Sequence, residues 1–309
     1  MGCFCSKDQK LLEINGKKII IQPAVFPRKW TKEVLNQQLN SVCQITTKET
    51  KATGFLCKIP NLVLITSNSV LNIDQIKPGN EINIYFTEDE DRKQHKIIKI
   101  NEKRSTYSIG TINNEKIDTT IIEINSDEDG LKDKEFIEID EGLMSENVKQ
   151  SYTQKDCYLI HYEKGENLVT TLGKIYATEN KNKSFTLYHT CDSDQGSTGG
   201  PILLNNNKVI GVNVKRSPGD NFYRAVLLKY PIQEYLKKLE SQKEKNKLQT
   251  EDPGKLENNR SNKLKEKKEE SQKLLDVPEK LGINKYNIEE LKINKNSTDK
   301  EGNGNNDDL

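Results

Sequence analysis

The sequence predicts an all-β protein. Short runs rich in β-branched and aromatic residues recur between positions 40 and 240, turn-forming Asn, Asp, Gly and Lys separate them, and strand runs do not alternate with helical ones. An α/β architecture, which needs that alternation, is therefore disfavoured. After the first strand, the predicted strands are 81–86, 96–100, 117–124, 156–162, 168–171, 184–188 and 208–214.

The first seven residues, M-G-C-F-C-S-K, match the N-myristoylation pattern M-G-x-x-x-[ST]. Gly2 would carry the myristoyl chain, and Cys3 and Cys5 are adjacent candidates for palmitoylation. One myristoyl chain binds membranes reversibly, with a constant of about 10⁴ M⁻¹, whereas two acyl chains anchor a protein stably. The terminus thus predicts a lipid anchor on the cytoplasmic face of a membrane. The alternative is a chance match in a cysteine-bearing tail.

Residues 1–39 are predicted to hold this anchor motif and a lead-in segment. The apolar run 18–23 indicates a short strand, and Thr31 is placed to cap a helix. Trp30, the only tryptophan, is interpreted as packing on the body rather than binding a ligand. The run 41–46 then opens the first strand of the main domain, residues 40–240.

The main domain is predicted to end in a helix. Pro231 stands in the first turn of the run 231–239, where apolar residues follow at helical spacing. From Ser241 the chain changes to Lys, Glu, Asn and Gln with few aromatic residues, so it cannot bury enough apolar surface to offset its ordering entropy. Residues 241–309 are therefore predicted to be a disordered polyampholyte tail. A transient helix at 262–275 and a docking motif at 286–293 are the alternatives.

The charge balance limits the classes of partner. The formal net charge is +1, which gives no global field to attract nucleic acid. No window approaches the roughly 18 apolar residues of a membrane helix, and the start lacks the pattern of a secretory signal. We therefore expect a chain made and kept in the cytosol, with neither a transmembrane helix nor a nucleic-acid partner.

Four cysteines, Cys43, Cys57, Cys157 and Cys191, are scattered along strand-like runs, which predicts reduced, buried thiols rather than a disulfide framework. A zinc site built from Cys157, Cys191, His161 and His189 is a weaker alternative, because no C-x-x-C pair supports it. We expect no metal and no cofactor.

The stretch 188–202 reads Y-H-T-C-D-S-D-Q-G-S-T-G-G-P-I and precedes the strand 208–213. The stretch resembles the nucleophile loop of trypsin-like serine proteases, usually G-D-S-G-G-P or G-S-S-G-S-P. The resemblance implies that a tight turn holds a hydroxyl outward while nearby backbone N–H groups, here those of Gly196 and Thr198, point at a developing oxyanion. Thr198 occupies the nucleophile position.

Two upstream segments extend the resemblance. Residues 54–59 and 62–71 resemble the family's G-S-G-F and L-V-L-T-N-x-H-V-L, which puts Ser69 at the position of the catalytic histidine. Residues 117–124 resemble its D-I-A-L-I-x-I segment, which puts Asp118 at the position of the orienting carboxylate. The order Ser69, Asp118, Thr198 is the family order of base, orienter and nucleophile. The resemblance covers about 40–235 and implies two β-barrels with the site in the cleft between them.

The resemblance also suggests a specificity pocket. Residues 192–198 align with the D-S-C-Q-G-D-S of trypsin, so Asp192 would be the acid at the pocket floor that selects Lys or Arg. Arg216 stands where the family has a pocket-wall glycine, and it could fill the pocket and pair with Asp192. A solvated loop acid is the alternative for Asp192. Ser197 replaces the aspartate that pairs with a newly cut N-terminus in secreted members, so activation by cleavage is not expected.

The triad positions predict a degenerate, inactive enzyme. A serine hydroxyl at position 69 cannot accept a proton at neutral pH, and the methyl group of Thr198 crowds the attack path. Loss of the base in another protease lowers turnover by about six orders of magnitude. We therefore expect a homologue whose cleft binds a peptide or protein. The alternatives are a weak endopeptidase using Thr198, Asp118 and another base, and a membrane-tethered adaptor that works through its tail.

Overall fold

The computed structural model describes residues 10–14, 17–21, 30–87, 93–112, 115–146, 148–176, 185–214 and 222–250. Strands β1 (Lys10–Ile14) and β2 (Lys17–Ile21) form an antiparallel hairpin, and helix α1 (Trp30–Asn40) follows. The predicted lead-in strand overlaps β2. Because α1 begins at Trp30, Thr31 lies in its first turn rather than ahead of it.

An eight-stranded assembly, here called the N-terminal sheet, comes next. Seven strands pair antiparallel in the order β7-β6-β3-β4-β5-β9-β8, and β10 pairs parallel with β4. Apolar residues at alternate positions build its core, as Ile82, Ile84 and Phe86 do in β6. The strands are β3 (Val42–Thr46), β4 (Lys51–Lys58), β5 (Leu62–Thr66), β6 (Glu81–Thr87), β7 (Lys93–Lys99), β8 (Thr106–Ile112), β9 (Glu115–Glu123) and β10 (Ile137–Glu138).

A closed barrel of six strands follows, in the order β11-β12-β13-β16-β15-β14. A 3₁₀ helix (Glu141–Met144) and α2 (Val148–Tyr152) lead into it. Every residue of β15 is buried, as expected for a strand packed on both faces. The strands are β11 (Asp156–Glu163), β12 (Asn167–Tyr176), β13 (Thr186–His189), β14 (Pro201–Leu204), β15 (Val209–Val214) and β16 (Tyr223–Leu227).

Helix α3 (Lys229–Thr250) follows the barrel, and Ile232, Tyr235 and Leu239 join the buried core. It runs past the predicted domain boundary at residue 240, because Lys, Gln and Glu are good helix formers and extend a helix that packing has already nucleated. Residues 251–309 lie outside the described residues. None of the described helices, α1, α2 and α3, has the length and apolar content that crossing a bilayer requires.

The predicted fold class is confirmed. The main body is built of strands, one of its two β-assemblies is a closed barrel, and a helix ends it. The 191–200 segment, here called the glycine loop, connects β13 to β14 in the barrel.

Candidate functional site

Ser69 and Asp118 are neighbours at one end of the N-terminal sheet. Thr66 of β5 pairs with Thr120 of β9, so the turn that follows β5 lies beside Asp118. The backbone N–H of Ser69 donates to Asp118 Oδ1 at 2.7 Å, and its hydroxyl donates to Oδ2 at 3.2 Å. The structure thus brings together the positions that sequence reasoning assigned to base and orienter.

Asp118 adopts a backbone conformation that side chains rarely take. It is 2% exposed, and its φ of +33° lies in the left-handed region. Such strain persists only where the surroundings over-determine it, and it concentrates at functional sites. The two bonds from Ser69 are part of what fixes the carboxylate toward the turn.

The turn carrying Ser69 is held by a network of hydroxyl and amide groups. Ser67 Oγ lies 2.6 Å from Ser69 Oγ, and Asn68 Nδ2 donates to Ser108 Oγ at 2.6 Å. The Thr120 hydroxyl donates to the carbonyl of Leu71 at 2.6 Å. Ser69 itself is exposed. The turn therefore presents a small hydroxyl, backed by a buried carboxylate, at the surface.

The glycine loop packs directly against the N-terminal sheet. Thr53 of β4 donates its backbone N–H to the Thr198 carbonyl at 3.0 Å and its hydroxyl to the Gly196 carbonyl at 2.8 Å. Gly199 has φ +90°, and a Cβ there would lie 2.1 Å from the Thr53 carbonyl oxygen and 3.2 Å from the Ser67 nitrogen. A glycine is therefore required, and the contact places Gly199 against Thr53 and the start of the Ser67–Ser69 turn.

Asn213 of β15 holds the same loop from the barrel side. Its carbonyl accepts from Gly199 N and its N–H donates to the Gly200 carbonyl, both at 2.8 Å. Its side-chain amide donates to the Ser197 carbonyl at 2.9 Å. The loop is thus fixed between β4 and β15, and Thr198, 6% exposed, is nearly buried.

Asp194 engages one of the two predicted oxyanion donors. Its Oδ1 accepts from Gly196 N at 3.0 Å, from Ser197 N at 3.2 Å and from Ser197 Oγ at 2.9 Å. Its Oδ2 accepts from Lys164 N at 2.6 Å. The N–H of Gly196 is therefore directed at a carboxylate of the protein itself, which differs from the predicted open donor. The D-x-G spacing, typical of a turn closed by an aspartate side chain, was the signal for it.

Ser197 is buried inside the loop and contacts His161 of β11. Its hydroxyl lies 2.7 Å from His161 Nδ1 and donates its one hydrogen to Asp194, so the imidazole must donate through Nδ1. His161 Nε2 then has no hydrogen-bond partner among the described residues. Burial lowers the pKa of His161 to about 4, so the ring is neutral at pH 7. His161 is therefore a buried histidine with one hydrogen-bonded ring nitrogen.

Asp192 is exposed on the loop surface. Its Oδ1 accepts from the Tyr223 hydroxyl at 2.6 Å and from Ser193 N at 3.1 Å. This placement agrees with the alternative of a solvated loop acid. Arg216, its predicted partner, lies outside the described residues, as do Gly2, Cys3 and Cys5. An open cavity of about 630 Å³ lies elsewhere, and its lining contains none of the predicted site residues.

Cys43, Cys57, Cys157 and Cys191 are all buried free thiols. Within the described ranges, no three or more His, Cys, Asp or Glu side chains are arranged to hold a metal ion. The zinc alternative therefore finds no support in the described part of the chain.

Comparisons with known proteins give likeness in solved structures only. Neither protein-family models nor curated sequences match the chain. An inactive mutant form of Rv3671c from Mycobacterium tuberculosis is 16% identical at a TM-score of 0.47, over 72% of this chain and 97% of that one. The serine endoprotease from Yersinia pestis is 15% identical at a TM-score of 0.45, over 68% of this chain and 66% of that one. Deg5 is 16% identical at a TM-score of 0.44, over 67% of this chain and 94% of that one.

Proposed function

We propose that this chain is a trypsin-like protease homologue that lacks peptidase activity and binds a peptide or protein segment across its glycine loop. The observation that carries the proposal is the Ser69–Asp118 pair. Asp118, at the position that the resemblance assigns to the orienting carboxylate, accepts two hydrogen bonds from Ser69. A serine hydroxyl in the place of the base cannot take a proton from a nucleophile at neutral pH.

The electrostatics of the loop support inactivity independently. An oxyanion hole needs donors that are free at the place where negative charge develops. Gly196 N already donates to a full carboxylate, that of Asp194. The oxyanion of a tetrahedral intermediate would have to displace the Asp194 carboxylate from the Gly196 N–H. Exchanging one anion for another at this donor would stabilise the intermediate little.

The exposed groups around the loop support binding. Ser69 offers a hydroxyl, and Asp192 offers a carboxylate that Tyr223 holds in place. A bound segment with a Lys or Arg side chain could pair with Asp192, at the position where the resemblance places a specificity acid. The chain would therefore favour basic peptides without cutting them.

Membrane attachment completes the proposal. Gly2, Cys3 and Cys5 would carry lipids that hold the cleft at a cytoplasmic membrane surface. The tail, 241–309, would extend from this anchored body, and it is the working part in the adaptor alternative.

Reaction with a fluorophosphonate probe tests the central claim. We expect no labelling of the wild type or of Thr198→Ala, and detectable labelling of Ser69→His with Thr198→Ser. Each single change should give much less, because base and nucleophile act as one unit. Wild-type labelling that disappears in Thr198→Ala would establish the weak endopeptidase instead.

Binding is tested with a lipid-free chain and a fluorescent Lys/Arg peptide. We expect anisotropy to rise, and Asp192→Asn to weaken the affinity about tenfold by removing the charged partner. Deletion of 251–309 should leave this affinity unchanged. If deletion abolishes binding while Asp192→Asn has no effect, the tail adaptor is the correct function.

A further inference from the structure

Two of the buried thiols lie in contact. Cys157 belongs to β11, and Cys191 begins the glycine loop two residues after the end of β13. Their sulfur atoms are 3.5 Å apart, and both residues are fully buried. A disulfide needs a sulfur separation of about 2.05 Å, so a side-chain shift of about 1.5 Å would join them.

A glycine makes this approach possible. Strand β12 lies between β11 and β13 in the barrel, and Gly173 of β12 pairs directly with Cys157. A Cβ at Gly173 would lie 2.4 Å from the Cys191 backbone nitrogen. Any other residue there would push Cys191 away. The absence of a side chain at Gly173 thus lets the backbone at Cys191 lie close to β12.

The surroundings favour ionisation of one member of the pair. Burial alone raises the pKa of Cys191, but the side chains of Cys157 and His189 beside it outweigh burial and lower it below the ordinary thiol value. Burial and the neighbouring Cys191 raise the pKa of Cys157. A thiolate next to a protonated thiol is the arrangement from which a disulfide forms.

The other two thiols provide a contrast within the same molecule. Cys43 and Cys57 are equally buried, and burial raises the pKa of each well above its ordinary value. Buried thiols of this kind are chemically inert.

We propose that Cys157 and Cys191 are a site of reversible oxidation, at which a peroxide converts the two thiols into an intramolecular disulfide. The Cys191 thiolate attacks one peroxide oxygen, which breaks the O–O bond and gives a sulfenic acid and, after protonation, water. The Cys157 sulfur then attacks the Cys191 sulfur and loses its proton, and the sulfenic hydroxyl leaves as a second water. A dithiol reductant reverses the reaction by exchange.

The oxidant would reach the two buried thiols through local opening of the loop. Hydrogen peroxide is little larger than water, and the next residue after Cys191, Asp192, is exposed. Local opening of a surface loop requires less free energy than global unfolding. Once formed, the disulfide would join the first residue of the glycine loop to β11, the strand that also carries His161.

The test is oxidation of the folded full-length chain by hydrogen peroxide, followed by denaturation and alkylation without reductant. Before oxidation, Cys43, Cys57, Cys157 and Cys191 should all be alkylated. Afterwards, intact mass and peptide mapping should show one disulfide, between Cys157 and Cys191, with Cys43 and Cys57 still alkylated. Dithiothreitol should restore all four thiols.

The variants separate this pair from general thiol damage. Cys157→Ser should abolish the disulfide, whereas the matched double change Cys43→Ser with Cys57→Ser should leave it unaltered. Hydrogen exchange of the amides at 192–197 should slow in the oxidised wild type. A disulfide that involves Cys43 or Cys57, over-oxidation of Cys191 without a crosslink, or no reaction in the folded chain would overturn the proposal.

Discussion

The carboxylate of Asp194 lies 3.0 Å from the backbone nitrogen of Gly196, two residues further along the same loop. Three other donors, Ser197 N, Ser197 Oγ and Lys164 N, converge on the same carboxylate. The loop therefore contains a fixed anion of its own, and one of the groups that bind it, Gly196 N, is a donor that an active protease would reserve for its transition state.

Removing the Asp194 carboxylate should increase the labelling rate of the variant in which the base and nucleophile are restored. In the Ser69→His, Thr198→Ser background, we expect Asp194→Ala to raise the rate of fluorophosphonate labelling at least tenfold, because one oxyanion donor contributes about 10²–10³ in rate. The measurement is labelling over time, with melting temperature as a check on folding.

Asp192→Ala provides the matched control for this experiment. It removes an equal charge from the same loop, but its carboxylate accepts from Tyr223 and Ser193 rather than from Gly196. Its labelling rate should stay at that of the background. Equal acceleration by both changes would mean that loop charge, and not the Gly196 donor, limits the reaction.

The free energy of unfolding should depend on pH through His161. Because its folded-state pKa is about 4 and its ordinary value is 6.5, the unfolded chain binds a proton between these values that the folded chain does not. The free energy of unfolding is therefore highest above pH 6.5. It decreases as the pH falls toward 4, by up to about 3 kcal/mol. Urea denaturation at a series of pH values measures it.

His161→Asn keeps a donor near the Nδ1 position and removes the titrating group, so the slope between pH 6.5 and 4 should flatten. His95→Asn, the same change at an exposed histidine, is the matched control. A wild type with constant stability across this range would contradict the buried neutral imidazole.

Gly199→Ala should destabilise the protein by about 3 kcal/mol. The added methyl group meets the Thr53 carbonyl and the Thr66 hydroxyl, and the φ of +90° strains any side chain. Gly79→Ala separates the two effects, since Gly79 has φ +95° with nothing within 4 Å of its Cβ position. That variant should lose only about 1 kcal/mol. Similar losses in the two variants would show that the loop is not tightly packed on β4.

Membrane attachment should depend on the first residues. Gly2→Ala should release the protein to the soluble fraction, because myristoylation requires that glycine. Cys3→Ser with Cys5→Ser should leave weaker, reversible binding by one acyl chain. Cell fractionation measures both, and a wild type as soluble as Gly2→Ala would remove the lipid anchor from the proposal.

The sequence located candidate site residues where a residue with a recognisable chemical role stands in or next to an apolar strand pattern. Asp118 and Ser69 could be placed together because Ser69 follows one recognisable apolar strand motif and Asp118 lies near the start of another, and the sheet register then joins them. Thr53 was missed as a site residue, since its contacts with the glycine loop depend on how the two β-assemblies pack. Residues 241–250 were assigned to the tail from their composition but lie in α3, because a charged composition lowers burial without preventing helix formation.

Thr53 also carries a consequence for how the molecule folds. Its hydroxyl reaches the Gly196 carbonyl across a sequence separation of 143 residues. Contacts of such length form slowly, because a large loop must close before they stabilise anything. The strands on either side can pair locally first, so we expect the glycine loop to dock last during refolding. Ribosomal synthesis imposes the same order, because the glycine loop is made long after β4, so Thr53 has no partner until residues 196–198 have emerged.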